Sequence, residues 1–136
     1  MCPDTVTKMR ASDGAILATV TVRGGADPIV FDGTSIWIGN HNPNANHVTK
    51  ILASDVTLEG RARVGDAPDG LTFDGSHVWV ANDTDSTVMR LRRADGGVEQ
   101  IYHVGLNPVG MTFDGDSIWV ANLGDSTINK ITPRRP

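Results

Sequence analysis

The 136 residues amount to 14.5 kDa, room for one domain of ordinary size, and 39% hydrophobic against 21% charged residues suits a chain that folds around a core. Twelve Lys and Arg against sixteen Asp and Glu give a net charge of -4 and a pI near 5.4, which argues against a nucleic-acid surface. No run approaches the roughly 18 apolar residues of a membrane span, and the N-terminus lacks the basic and apolar regions of a signal peptide, so the chain reads as soluble with its compartment open.

The first patterned segment, Val6-Thr7-Lys8-Met9, has three later counterparts, Val48-Thr49-Lys50-Ile51, Val88-Met89-Arg90-Leu91 and Ile128-Asn129-Lys130-Ile131. Next comes Phe31-Asp32-Gly33, an aspartate-glycine turn of the kind that joins antiparallel strands because Gly accepts positive φ. Asn40 closes the strand that contains Trp37, and the loop after it, from His41 to Asn46, is the one segment that breaks the pattern. Val64 to Leu91 then aligns without a gap on Val104 to Ile131, with fifteen identities in twenty-eight positions at a spacing of 40. Val22 to Asn40 matches again at a spacing of 42, the loop after Asn40 being two residues longer than its counterparts.

Within the last period, residues 109–113 lead into the Asp114-Gly115 turn, and Ile118-Trp119-Val120-Ala121, apolar throughout, is expected to be a strand covered on both faces. Asn122 to Ser126 makes the next turn, and Thr127 to Ile131 a partly exposed third strand. The fourth strand, seen at Glu99 to Val104, is the most polar and is expected outermost. Fifteen Gly, seven Pro and frequent turn signals leave no window for a substantial helix. Six of the seven aromatic residues belong to this one repeat: Phe31 with Trp37, Phe73 with Trp79, and Phe113 with Trp119.

A four-stranded antiparallel unit of about 40 residues describes a β-propeller blade. The fold expected is therefore all-β, about three such blades, with copies about 5–46, 47–86 and 87–126 and a partial copy 127–136. Lettering the strands A to D outward from the axis, the chain reads C, D, twice A to D, then A, B, C, thirteen strands in all. Because rings typically need about four to eight blades, closure is expected through a homodimer or other homo-oligomer, or by membership of a larger propeller. Two chains supply twenty-six strands against the twenty-four of a six-bladed ring, with the strands near Val6 and Ile128 competing for one place.

The segment Val104-Gly105-x-x-Pro108-x-Gly110-x-Thr112-Phe113-Asp114-Gly115, followed by Ile118-Trp119-Val120-Ala121-Asn122, resembles the YVTN-type β-propeller repeat, which is close to NHL, streptogramin-lyase-like and lactonase-like propellers. The resemblance implies the fold over nearly the whole chain, and a function ranging from binding protein to enzyme. The first copy departs from it, with Ala26-Asp27-Pro28 in place of the Pro-x-Gly of 68–70 and 108–110.

For chemistry, the Asp-Gly turns at 32, 74 and 114 read as architecture, the carboxylate accepting from nearby amides. Asn40, Asn82 and Asn122, with Asp85-Ser86-Thr87 and Asp125-Ser126-Thr127, read as Asx and Ser/Thr turns that also line the loop face where propeller ligands enter. Asp83-Thr84-Asp85 has the two-residue spacing that hard cations use, without a calcium loop around it. His41, Asn42, Asn44, Asn46 and His47 concentrate side chains able to hold a metal or polar ligand. His77 and His103 are expected to be exposed. Glu59 and Glu99 are the only glutamates and fall on outer strands, so a His/Glu acid-base set is missing; Asp66 and Asp69 share one loop without counterparts at 106 and 109. Cys2 has no disulfide partner. Arg90, Arg92, Arg93, Lys130, Arg134 and Arg135 read as a solvated strand and tail.

The favoured function is a noncatalytic propeller scaffold that binds a protein or small polar ligand at His41, Asn42, Asn44, His47, Asn82, Asp83, Asp85, Asn122 and Asp125, with no cofactor and no assigned metal ligand. The alternatives are a metal-dependent propeller enzyme of lyase or lactonase type, its site formed in the closed ring, and a propeller fragment, natural or engineered, that self-assembles.

Overall fold

Short alternating segments between turn residues form antiparallel strands here because most neighbours are joined by tight turns that Asp, Gly or a left-handed residue supplies. The computed structural model describes residues 4–22, 25–40, 42 and 46–133, and contains thirteen strands and no helix among them. They are β1 (Thr5–Met9), β2 (Ile16–Thr21), β3 (Ala26–Phe31), β4 (Ser35–Asn40), β5 (His47–Leu52), β6 (Leu58–Arg63), β7 (Pro68–Phe73), β8 (His77–Asn82), β9 (Thr87–Arg92), β10 (Val98–His103), β11 (Pro108–Phe113), β12 (Ile118–Asn122) and β13 (Thr127–Ile131). All pairings are antiparallel between sequence neighbours, giving sheets β1-β2, β3 to β6, β7 to β10 and β11 to β13.

These are the strands of β-propeller blades in the expected order. Two blades are complete; a two-stranded C–D hairpin precedes them and a three-stranded A–B–C sheet follows. The sequence copies, counted from strand C, are thus offset by half a blade from the sheets. Inner strands β3, β7 and β11 lie side by side, β3 against β7 and β7 against β11.

Packing between sheets follows the repeat. Trp37 of β4 is buried among Val48, Ala62 and Val64 of its own blade and Val78, Val80 and Leu91 of the next, with Leu71 and Phe73 beside it. One blade on, Trp79 is buried against Ile118 and Val120, with Met111 and Phe113 beside it. Each of these two interfaces therefore seats one large indole over the A and B strands of the following blade, burying the area that makes aromatics the dominant core residues.

Pro28 does not disrupt its strand. Ala26 pairs with Asn40 and Ile29 with Ile38, so the irregularity falls where Pro68 pairs with Asn82 and Gly70 with Ala81. The compensation lies across the ladder: Gly39 takes the place of Ala81 and Ala121, and a Cβ there would collide with the Pro28 ring. Proline costs nothing in the ladder at such an irregularity because its missing N–H has no partner there to lose.

Two expectations are corrected. The apolar run Ile118 to Ala121 is covered on one face only: Ile118 and Val120 are buried against the middle blade, whereas Trp119 and Ala121 point to the open side, where no further blade follows in the described residues. His77 is half-buried rather than exposed, because it pairs with Glu99 on the outer strand of its own blade.

Candidate functional site

Three places could carry function: the Asp-Gly turns, the loop face made by B–C and D–A connections, and the seams between blades.

The turns repeat one hydrogen-bonded clasp. In each, one carboxylate oxygen accepts two backbone amides and the other accepts the indole N–H of the Trp five residues on. Asp32 Oδ1 takes Thr34 N (2.9 Å) and Ser35 N (2.7 Å) while Oδ2 takes Trp37 Nε1 (2.8 Å). Asp74 does the same with Ser76, His77 and Trp79, and Asp114 with Asp116, Ser117 and Trp119. For Asp32 and Asp74, burial pushes the carboxyl up, but the indole and amide donors outweigh it and hold the group below the usual carboxylate range. For Asp114 the Trp119 indole leads and lowers it to about 2. A carboxylate so saturated with donors is a fastener, not a base.

The same holds for most of the predicted loop-face residues. Asp85 Oδ2 accepts the amide of Asp66 (3.0 Å) and Asp125 Oδ2 that of Leu106 (3.1 Å), so each ties a B–C loop to the preceding D–A loop. Asp83 Oδ1 accepts Asn107 Nδ2 (2.8 Å), a bond between blades. Asn82 and Asn122 donate through Nδ2 to Thr87 and Thr127, and the Oδ1 of each is buried without a partner. The structure therefore brings Asn82, Asp83 and Asp85 together, and repeats Asn122 and Asp125 one blade on. Asn42 is exposed; His41 and Asn44 lie outside the described residues, as do Cys2, Arg134 and Arg135. His47 opens β5, half-buried, with Nε2 unpaired; burial, then the Arg61 charge, hold its pKa below the usual value.

The part of this loop face formed by the middle blade and the last sheet is acidic. Residues 64–67, 83–86, 104–107 and 123–126 hold four carboxylates, Asp66, Asp83, Asp85 and Asp125, and no Lys, Arg or His. Among the described residues no three His, Cys, Asp or Glu side chains come together as a metal-holding group.

Sequence reasoning missed several arrangements. The Asp-to-Trp spacing of five, constant in all three copies, was the available signal for the indole bond. Lys50 Nζ donates to the carbonyls of Arg93 (3.1 Å) and Ala94 (3.2 Å) and lies 5.2 Å from the centre of the Trp37 ring, bracing one blade on the next. Lys8 Nζ reaches Ala53 O (2.9 Å) in the same way. Around Lys50 and Glu59 two clefts of about 300 and 380 Å³ open on the side of the A–B and C–D turns, the first toward Arg61 and Asp95 and the second toward Asp32 and Arg93. Ser76 Oγ stands 3.0 Å from His77 Nδ1, and His77 Nε2 pairs with Glu99, an arrangement that resembles a nucleophile relay. It lacks an oxyanion site: the amides of Ser76 and His77 both point to Asp74, whose charge also lies 3.2 Å from Ser76 Oγ and opposes a developing anion.

The comparisons with known proteins agree with the fold. Hydrazine synthase of Kuenenia stuttgartiensis superposes with a TM-score of 0.71 at 25% identity, over 80% of this chain and 33% of that one. A functionally unknown protein from Desulfotomaculum acetoxidans gives 0.73 at 17% identity, over 94% of this chain and 48% of its own. The computationally designed Ika4 protein gives 0.81 at 12% identity, over 96% of this chain and 81% of its own. The chain thus spans a third and about half of the two natural chains it resembles. No family model and no curated protein matches the sequence. No helix is long and apolar enough to cross a membrane among the described residues.

Proposed function

We propose that the chain is a noncatalytic propeller scaffold of the YVTN type, which presents its B–C and D–A loop face to a protein or a small polar ligand. The observation that supports this is the engagement of its carboxylates: Asp32, Asp74 and Asp114 are fastened to indoles and amides, and Asp83, Asp85 and Asp125 to neighbouring loops. Groups that hold loops in place through charge-assisted bonds are poorly suited to shuttle protons. What remains on that face is acceptor capacity, the unengaged lone pairs of four carboxylates. Such a surface favours a partner rich in donors, a cationic side chain or a polyol, and disfavours anions.

The test is backbone-amide NMR of the purified protein titrated separately with a diamine, a sugar alcohol and inorganic phosphate, beside a lyase and lactonase panel run with divalent metals. Shifts for donor-rich ligands confined to residues 64–67, 83–86, 104–107 and 123–126, with no turnover, are expected. Turnover that survives repurification, or shifts for phosphate alone, would overturn the proposal.

A further inference from the structure

The two ends of the stack are complementary in the way its internal seams are. On the C-terminal side, Trp119 has no blade to pack on and is 37% exposed, where Trp79 is 0% exposed. On the N-terminal side, Ile29 and Phe31 hold the places of Leu71 and Phe73, which lie beneath Trp37, and are 55% and 53% exposed because no indole covers them. Above them lies an apolar groove of about 160 Å³ between blade and hairpin, walled by Val6 and Lys8 and floored by Ile29, Ile36 and Ile51.

The β1-β2 hairpin is already seated as half a blade. Val6 and Val20 pack on Ile36, Ile38 and Ile51, and Lys8 grips the Ala53 turn as Lys50 grips the Arg93 turn. It has strands C and D, and nothing pairs with the second edge of β1 among the described residues. That unpaired edge is where a B strand belongs, and exposed edges take up strands from other chains.

We infer that a second copy of this chain fills the place: its β11-β12 hairpin adds to the edge of β1, and the reciprocal exchange at the other junction closes a two-chain, six-bladed ring. The inference rests on the scaffold reading for its architecture, and is independent of what the loop face binds. Equivalence with β5 and β9 fixes the register, since Trp37 pairs with Lys50 and Trp79 with Arg90; Trp119 of one copy pairs with Lys8 of the other, and Ala121 with Val6. Lys8 then lies over Trp119 as Lys130 does at 5.2 Å within one chain. The strand given up is β13, which holds the C position beside β12 but brings no D strand with it, whereas β1 brings β2.

Sedimentation equilibrium of the full chain at about 10 µM tests this, with circular dichroism to show that each variant still folds. A particle of twice 14.5 kDa is expected. Phe31→Glu and Trp119→Lys each weaken it by at least about tenfold, and an equimolar mixture of the two restores it, because one junction is then native and the other joins opposite charges. Ile128→Arg leaves the particle intact, since β13 is displaced; were β13 retained, Ile128 would be buried as Val48 and Val88 are, both 0% exposed. A monomer at about 100 µM overturns the inference and assigns the open faces to another stretch of propeller or a different protein. Dissociation by Ile128→Arg, or failure of the mixture to reassociate, overturns it as well. None of these results bears on the NMR titration, so the two readings fail separately.

Discussion

The middle blade and the last sheet share fifteen of twenty-eight aligned residues, the Asp-Gly turn and its Trp among them, and differ in what covers them. Trp79 and Trp119 both donate their indole N–H to the Asp five residues earlier, at 2.9 and 2.8 Å, yet one is 0% exposed and the other 37%. The turn and its clasp are therefore set locally, by residues within six positions of one another. Burial is set by the neighbour, and the last sheet has one on a single side. The largest test of that contrast is truncation of each indole. Trp79→Ala opens a cavity at a packed seam and is expected to cost about 3–5 kcal/mol in urea unfolding. Trp119→Ala removes the same clasp bond from an uncapped face and is expected to cost less than half as much in the monomer. Equal losses would mean that the last sheet is as well covered as the middle one.

Glycine placement sharpens the comparison at the next level. A Cβ at Gly70 would run into the Val109 carbonyl oxygen of the following blade, whereas at Gly110 it meets nothing within 4 Å. Neither backbone is left-handed, so space alone decides. Gly70→Ala is expected to lose about 1–3 kcal/mol by forcing β7 and β11 apart, and Gly110→Ala to stay within about 0.5 kcal/mol of the parent in a monomer. Gly39→Ala behaves like Gly70→Ala because of the Pro28 ring, and Pro28→Gly in the same chain is expected to recover most of the loss, a coupling that a double-mutant cycle measures.

The acid response follows from the clasps. Asp114 is lowered to about 2 from the ordinary 3.8, so its folded pKa lies below its unfolded one. Its contribution to stability is then present above about pH 4 and is lost as pH falls toward 2. Carboxyl-carbon NMR is expected to place the Asp114 midpoint near 2 in the parent and nearer the ordinary value in Trp119→Phe, which removes the leading donor. Asp74 should respond in the same direction to Trp79→Phe, as its indole is the strongest influence opposing burial. A Trp119→Phe midpoint still near 2 would leave the amides as sufficient cause.

Strand count, order and the blade repeat were legible in the sequence because each depends on short-range signals, Asp-Gly turns and a period of about 40. Thirteen strands in the order C, D, then two full sets, then A, B, C are what the described residues form. The exchange of Pro28 and Gly39 for Gly70 and Ala81 was harder to read, since it couples residues eleven apart across a ladder whose register is known only once the irregularity is placed. Pairing of His77 with Glu99 was hidden for a similar reason: it joins strands B and D, which are not neighbours. At the candidate site the residue types were legible and their engagement was not. Asp85 and Asp125 read as local Asx turns, whereas each also accepts a backbone amide nineteen residues away, and no side-chain pattern announces an amide.

The smallest effect expected lies in the C–D turns, where covered and uncovered seams again part. Gly14, Val56 and Gly96 take one left-handed position, with φ of 75°, 54° and 75°. At Gly96 a Cβ would stand 2.5 Å from the Ala62 Cβ and 3.3 Å from the Trp37 ring of the preceding blade, so a covered seam leaves room for nothing larger. At Val56 no indole arrives, and the valine packs toward Ile38 and Ile51 despite a backbone that β-branched residues resist. Val56→Gly relieves a strain of order 1–3 kcal/mol and forfeits apolar burial of similar size, so the monomer is expected to change by less than about 1 kcal/mol. Because the same change clears the slot into which Trp119 of a second copy fits, it should tighten the two-chain particle while barely moving the monomer, and a change in both by the same amount would separate the valine from the seam.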